Sequence, residues 1–158
     1  MAEELKISYG GKEEKYALLY TQIENVVACE SDIIANMANV AAMIHSTFGF
    51  WWTGFYRVAG DTLLLGPFQG PLACTRISYG KGVCGTAWSE KRTIVVPDVE
   101  AFPGHIACSS ASRSEIVVPL FAADGSVCAV LDIDSEHLAM FDAVDELWLG
   151  NIVKLFLE

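Results

Sequence analysis

Apolar residues first recur along this chain at three- and four-residue steps. Tyr16, Leu19, Tyr20, Ile23, Val26 and Val27 form one stripe, which predicts an amphipathic helix. Ser31 or Asp32 then stands where an N-cap belongs. Behind it, Ile33, Ile34, Met37, Val40, Ala41 and Ile44 predict a second helix that fades near Gly49. There the period shifts towards two. FWWTGFYRV is aromatic and β-branched, DTLLLGPF follows a short Ala-Gly-Asp turn, and the pair predicts a hairpin. TIVVPD predicts a short strand ended by Pro97. SEIVVPLF and SVCAVLDID flank an Ala-Asp-Gly turn and predict a second hairpin. From Phe141 the helical spacing returns, with Val144, Leu147, Trp148, Ile152, Leu155 and Phe156 on the apolar side. Helices, then strands, then a closing helix predict an α+β fold with helices packed on an antiparallel sheet. Two segments, 70–90 and 99–113, fall outside these patterns and read as long loops. Loops of that length on a rigid sheet are where function concentrates.

Composition narrows the class. The chain has 158 residues, 53% hydrophobic and 19% charged, which predicts a single domain over residues 1–158 with one core. At that size folding buries roughly two-thirds of the chain's surface, so no staple is required. The formal charge of −10 sets the surface against phosphate backbones and anionic lipid, so neither nucleic acid nor membrane is expected as a partner. MAEELKISYG shows no basic-then-apolar signal pattern, and no apolar run approaches a membrane span. The expected compartment is cytoplasmic, where the five cysteines rest as thiols. Their number is odd and no CxxC occurs, which removes zinc-ribbon and thioredoxin-type readings.

The cysteines then divide by place. Cys29 and Cys128 sit in element patterns among apolar neighbours and read as small buried hydrophobes. Cys74 and Cys84 fall in the first long loop and Cys108 in the second, so loops facing one sheet can bring three thiols together. Ser109, Ser110, Ala111 and Ser112 follow Cys108, and Arg113 is placed to depress its pKa. Glu115 opens a strand. Asp132 and Asp134, two apart near a strand end, share a face. They read either as a solvated strand end or as a carboxylate cluster that binds an ammonium group or retains a proton. Trp51, Trp52, Phe55 and Tyr56 lie on one predicted strand, and alternation puts Trp52 and Tyr56 on the same face as a wall for a small apolar group. His105 and Cys108 form HxxC, too few ligands for zinc. GxSxG, P-loop and GxGxxG patterns are absent, so no metal or cofactor is expected.

YGKGVCGTAW, TIVVPDV, FPGHIACSSASRSEIVVPL, VLDIDS and FDAVDELWL, in that order, resemble the free methionine-(R)-sulfoxide reductases, a family of GAF domains. The resemblance implies a six-stranded antiparallel sheet flanked by helices, with the ligand under the loops. It implies a nucleophile at Cys108, a resolving partner at Cys74 and an auxiliary at Cys84. Sulfoxide-binding acids fall on Glu115, Asp132 and Asp134, and methyl-binding aromatics on Trp52 and Tyr56. It further implies free methionine-(R)-sulfoxide as substrate, thioredoxin as reductant, and a homodimer. Ser109 departs from the acid that often follows the family's nucleophile. Phe141, Asp145 and Glu146 resemble part of the motif of cyclic-nucleotide GAF domains, but its Asn-Lys pair is absent, so they read as fold residues. A ligand sensor and a substrate-free thiol switch are the competing readings; neither requires Glu115 together with Asp132 and Asp134.

Overall fold

The computed structural model describes residues 4–108 and 110–157. Two helices, α1 (Lys12–Ala28) and α2 (Ile33–Phe48), precede strands β1 (Trp52–Ala59), β2 (Thr62–Gln69) and β3 (Arg76–Ser78). Helix α3 (Gly82–Glu90) and strand β4 (Ile94–Val96) follow, then β5 (Ser114–Phe121), β6 (Val127–Ser135) and helix α4 (Ala143–Lys154). Asp32, not Ser31, caps α2: its carboxylate accepts from the Ala35 amide at 2.9 Å. Gly49 ends that helix with φ +67°, a left-handed turn a side chain would disfavour.

The six strands form one sheet in the order β3-β2-β1-β6-β5-β4, and every pair is antiparallel. Successive side chains on a strand point to opposite faces, and here each face has its own apolar cluster. Phe55, Ile116, Val118, Leu120, Leu131 and Ile133 pack against α1, α2 and α4 through Leu19, Ile23, Met37, Ile44 and Ile152. Each such side chain contributes about 1.5–3 kcal/mol when fully buried. Trp52, Tyr56, Val117 and Val130 point the other way, towards Val83, Cys84 and Ala87 of α3. Glu115, Asp132 and Asp134 occupy the same alternate positions as this second set, so the strand period itself delivers them to the α3 side.

Buried Asp145 joins α1 to α4. It accepts from Lys12 Nζ and from the Tyr16 hydroxyl, both at 2.6 Å, and from the Asp142 amide at 2.9 Å. With Phe141 in the helix-side core, this agrees with the reading of Phe141 and Asp145 as fold residues; Glu146 is exposed.

Several expectations are corrected. Residues 70–90 are not one loop but contain β3 and α3, so Cys84 lies on a helix and is buried. Cys29 ends α1 and is exposed rather than buried, and Cys128 is only half-buried. Trp51 precedes β1 instead of lying on it. Leu147 is 60% exposed, because α4 turns Leu149, Ile152 and Val153 inward.

Candidate functional site

The site is built on the three adjacent strands β1, β6 and β5. Register sets Glu115 opposite Asp134, Asp134 opposite Trp52, and Asp132 opposite Gly54. Glu115 and Asp132 are 5% and 6% exposed. A Cβ at Gly54 would approach the Trp52 ring to 2.6 Å and Phe68 Cβ to 2.4 Å, so only glycine leaves room for the indole there. Trp52 stacks on Tyr56 at 5.9 Å between centroids and on Phe68 at 5.2 Å. Both site aromatics also hold the chain beyond β2. The Trp52 indole N–H donates to the Pro71 carbonyl at 3.1 Å, and the Tyr56 hydroxyl to the Cys74 carbonyl at 2.8 Å.

Two loops roof this recess. Cys74 on the first and exposed Cys108 on the second are joined as a disulfide, with Cα atoms 5.8 Å apart. Leu72 and Ala73 line the recess from the first loop, and His105 and Ile106 from the second. Ile106 rests on the start of α3, where Gly82 has φ +63° and a Cβ would stand 3.0 Å from it.

The floor is acidic and largely buried. Burial raises the pKa of Glu115 well above the carboxylate range, and the charges of Asp132 and Asp134 add to it. Burial also raises Asp134, although the Ser112 hydroxyl donates to its Oδ1 at 2.9 Å. Asp132 is pushed only to about 6, because hydrogen bonds from Glu115 and Cys84 stabilise its charge against burial. Burial and the neighbouring acids thus favour the protonated form of Glu115, while hydrogen bonds favour the ionised form of Asp132. The Cys84 thiol is raised well above its usual value by burial and by these acids. His105 Nε2 lies 3.8 Å from Glu115 Oε1. Burial lowers the histidine and raises the glutamate, so burial works against an ion pair between them.

Residues 30–156 match the GAF domain family. A GAF domain-containing protein A from Dictyostelium discoideum is 56% identical, over 98% of each chain. The free methionine-R-sulfoxide reductase of Escherichia coli (strain K12) is 43% identical, covering 90% of this chain and 86% of its own. The crystal structure of free methionine-R-sulfoxide reductase from Neisseria meningitidis, in complex with its substrate, superposes with a TM-score of 0.94 at 56% identity, covering 97% of this chain and 92% of that one. The chain belongs to the free methionine-R-sulfoxide reductase family of GAF domains.

The family's expected positions converge here. Trp52, Tyr56, Cys84, Cys108, Glu115, Asp132 and Asp134 all line the recess, and Cys74 is bonded to Cys108 at its edge. Arg113 is exposed, and its backbone is held at both ends: its amide donates to the Ser135 carbonyl at 2.7 Å and its carbonyl accepts from the Val99 amide at 3.0 Å. Ser109 lies outside the described residues. Three members of the site escaped the sequence reading. Gly54 is legible only through its cross-strand partner. Ser112 reached Asp134 across 22 positions. His105 was weighed only as half of an HxxC pair.

Proposed function

We propose that the chain reduces free L-methionine-(R)-sulfoxide to L-methionine through a sulfenic acid on Cys108 and a Cys74–Cys108 disulfide, recycled by thioredoxin. The observation that carries the reading is a cysteine pair placed over two buried acids and the half-buried Asp134, beside an aromatic wall. The Trp52–Tyr56 wall takes the S-methyl group. Asp132 and Asp134 face the ammonium group, whose charge favours their ionised forms. Glu115 holds a proton for the sulfoxide oxygen.

In the reduced protein the Cys108 thiolate attacks the sulfoxide sulfur while the acid group protonates its oxygen. The S–O bond breaks and the oxygen leaves as water; water then attacks Cys108 Sγ, breaks its new bond to the methionine sulfur and loses a proton, so methionine leaves with its sulfur reduced and Cys108 is left as a sulfenic acid. The Cys74 thiol then attacks Cys108, forming the S–S bond and releasing water. A dithiol takes up the disulfide's two-electron debt and is itself oxidised. Proton delivery of this kind is worth about 10²–10⁴-fold in rate. The protein acts in the cytoplasm in this reading, as a homodimer.

The test supplies purified protein with the separated R and S forms of free methionine sulfoxide plus a dithiol, and counts methionine. Product from the R form alone, lost in Cys108→Ser, is expected. Full activity in Cys108→Ser would sink the reading. Cys74→Ser should release a single burst of methionine with a sulfenic acid trapped on Cys108; continued turnover at the parent rate would remove Cys74 from the resolving step.

A further inference from the structure

Going beyond that chemistry, we propose that the floor of the recess is a zinc-binding site formed by Cys84, Glu115 and Asp132. One donor atom from each residue lies within 4.8 Å of the other two, and all three residues are buried. Tetrahedral zinc with sulfur at about 2.3 Å and oxygen at about 2.0–2.2 Å places its ligands about 3.3–3.8 Å apart. The three donors, no more than 4.8 Å apart, therefore need to close by at most about 1.5 Å.

A second observation points the same way. Asp132 Oδ1 is fully buried in this recess and accepts no hydrogen bond among the described residues. Glu115 and Cys84 hydrogen-bond the carboxylate, but a single buried oxygen left without a donor is still costly, and a cation at this place would satisfy it. The three ligands come from α3, β5 and β6, so the cage is carried on packed elements rather than on the roof loops. His105 Nε2 lies 3.8 Å from Glu115 Oε1 and lines the same recess, beside the three ligands. A thiolate among the carboxylates favours zinc over the oxygen-seeking calcium and magnesium ions.

Binding forms S–Zn and O–Zn bonds as the Cys84 thiol and the Glu115 carboxyl release their protons to solvent, and no electrons move. None of these ligands belongs to the Cys74–Cys108 bond, so the site exists in the oxidised protein too. A bound ion occupies the floor that a substrate would use, which makes zinc an inhibitor of whatever this recess binds.

Oxidised protein is the material for the test. Zinc is titrated by calorimetry, and cadmium serves as a spectroscopic stand-in whose thiolate charge-transfer band reports sulfur ligation. One ion per chain with a thiolate band is expected. Cys84→Ser should lose the band and weaken zinc binding more than about 100-fold, while Cys29→Ser, at the exposed cysteine, keeps both. Asp132→Asn retains the thiol and guards against a folding artefact; it should keep the band and bind at least about 10-fold more weakly. A band that survives Cys84→Ser, a band lost in Cys29→Ser, unchanged affinity in Asp132→Asn, or no zinc bound at millimolar concentration would each overturn the site.

Discussion

Asp132 accepts from Glu115 and Cys84, yet burial still holds its pKa near 6 instead of 3.8. The folded protein therefore binds a proton more tightly than the unfolded chain does. This contribution is full below about pH 4 and is lost as pH rises through 6. Glu115 and Asp134 shift in the same direction. The site is thus a place where folding stability has been surrendered to keep acids in an apolar recess. Asp132→Asn removes the penalty. It should raise the urea midpoint at pH 8 by the equivalent of about 1–3 kcal/mol and leave it nearly unchanged at pH 4. Unfolding curves at the two pH values check this, and a loss of stability at pH 8 would contradict it. Glu115→Gln should gain stability in the same way while sulfoxide reduction falls about 10²–10⁴-fold.

At the scale of elements, α1, α2 and both hairpins were legible because long apolar periods ran uninterrupted between clear caps and turns. Helix α3 was not. Its glycines argued for a loop, while Val83, Cys84, Ala87 and Trp88 carried a helical spacing that competed with them. Those glycines serve geometry rather than flexibility. Gly80 and Gly82 have positive φ, and a Cβ at Gly85 would stand 2.6 Å from the Ser78 carbonyl oxygen. Glycine at 85 is what lets α3 lie against β3. The acids and aromatics of the site were legible because a two-residue period assigns faces without any tertiary knowledge. The pairing of Cys74 with Cys108 was not, since spacing alone leaves three cysteines equivalent; only the family resemblance separated them. The α1–α4 joint carries its own expectation. Asp145→Ala would leave the Lys12 ammonium and the Tyr16 hydroxyl without their shared acceptor. It should destabilise the fold by about 3–5 kcal/mol, read as a fall in melting temperature.

Across the whole molecule, the disulfide closes a span of 34 residues. Chain-entropy arguments assign such a crosslink up to about 4 kcal/mol, acting through the unfolded state. Dithiol treatment should therefore lower the melting temperature of the parent protein and leave that of Cys108→Ser unmoved. Equal melting of the oxidised and reduced parent would contradict this. The size argument that no staple is needed remains compatible with that result, because the bond crosses the roof of the recess and not either apolar cluster. Tyr56 and Trp52 hold the first loop through its carbonyls. Reduction then frees chiefly the Cys108 side, the loop of His105 and Ile106.

The alternation of acid and apolar residues on β5 and β6 has a consequence for assembly. Asp132 and Asp134 are interleaved with Leu131 and Ile133, and Glu115 is followed by Ile116. A slip of one residue in strand pairing exchanges the two faces of a strand. It would drive these carboxylates into the cluster beneath α1, α2 and α4, and strand Leu131, Ile133 and Ile116 in the recess. A strand with valines at 132 and 134 would be indifferent to such a slip. The charges that line the recess thereby proofread the sheet while it forms, before there is any ligand for them to meet.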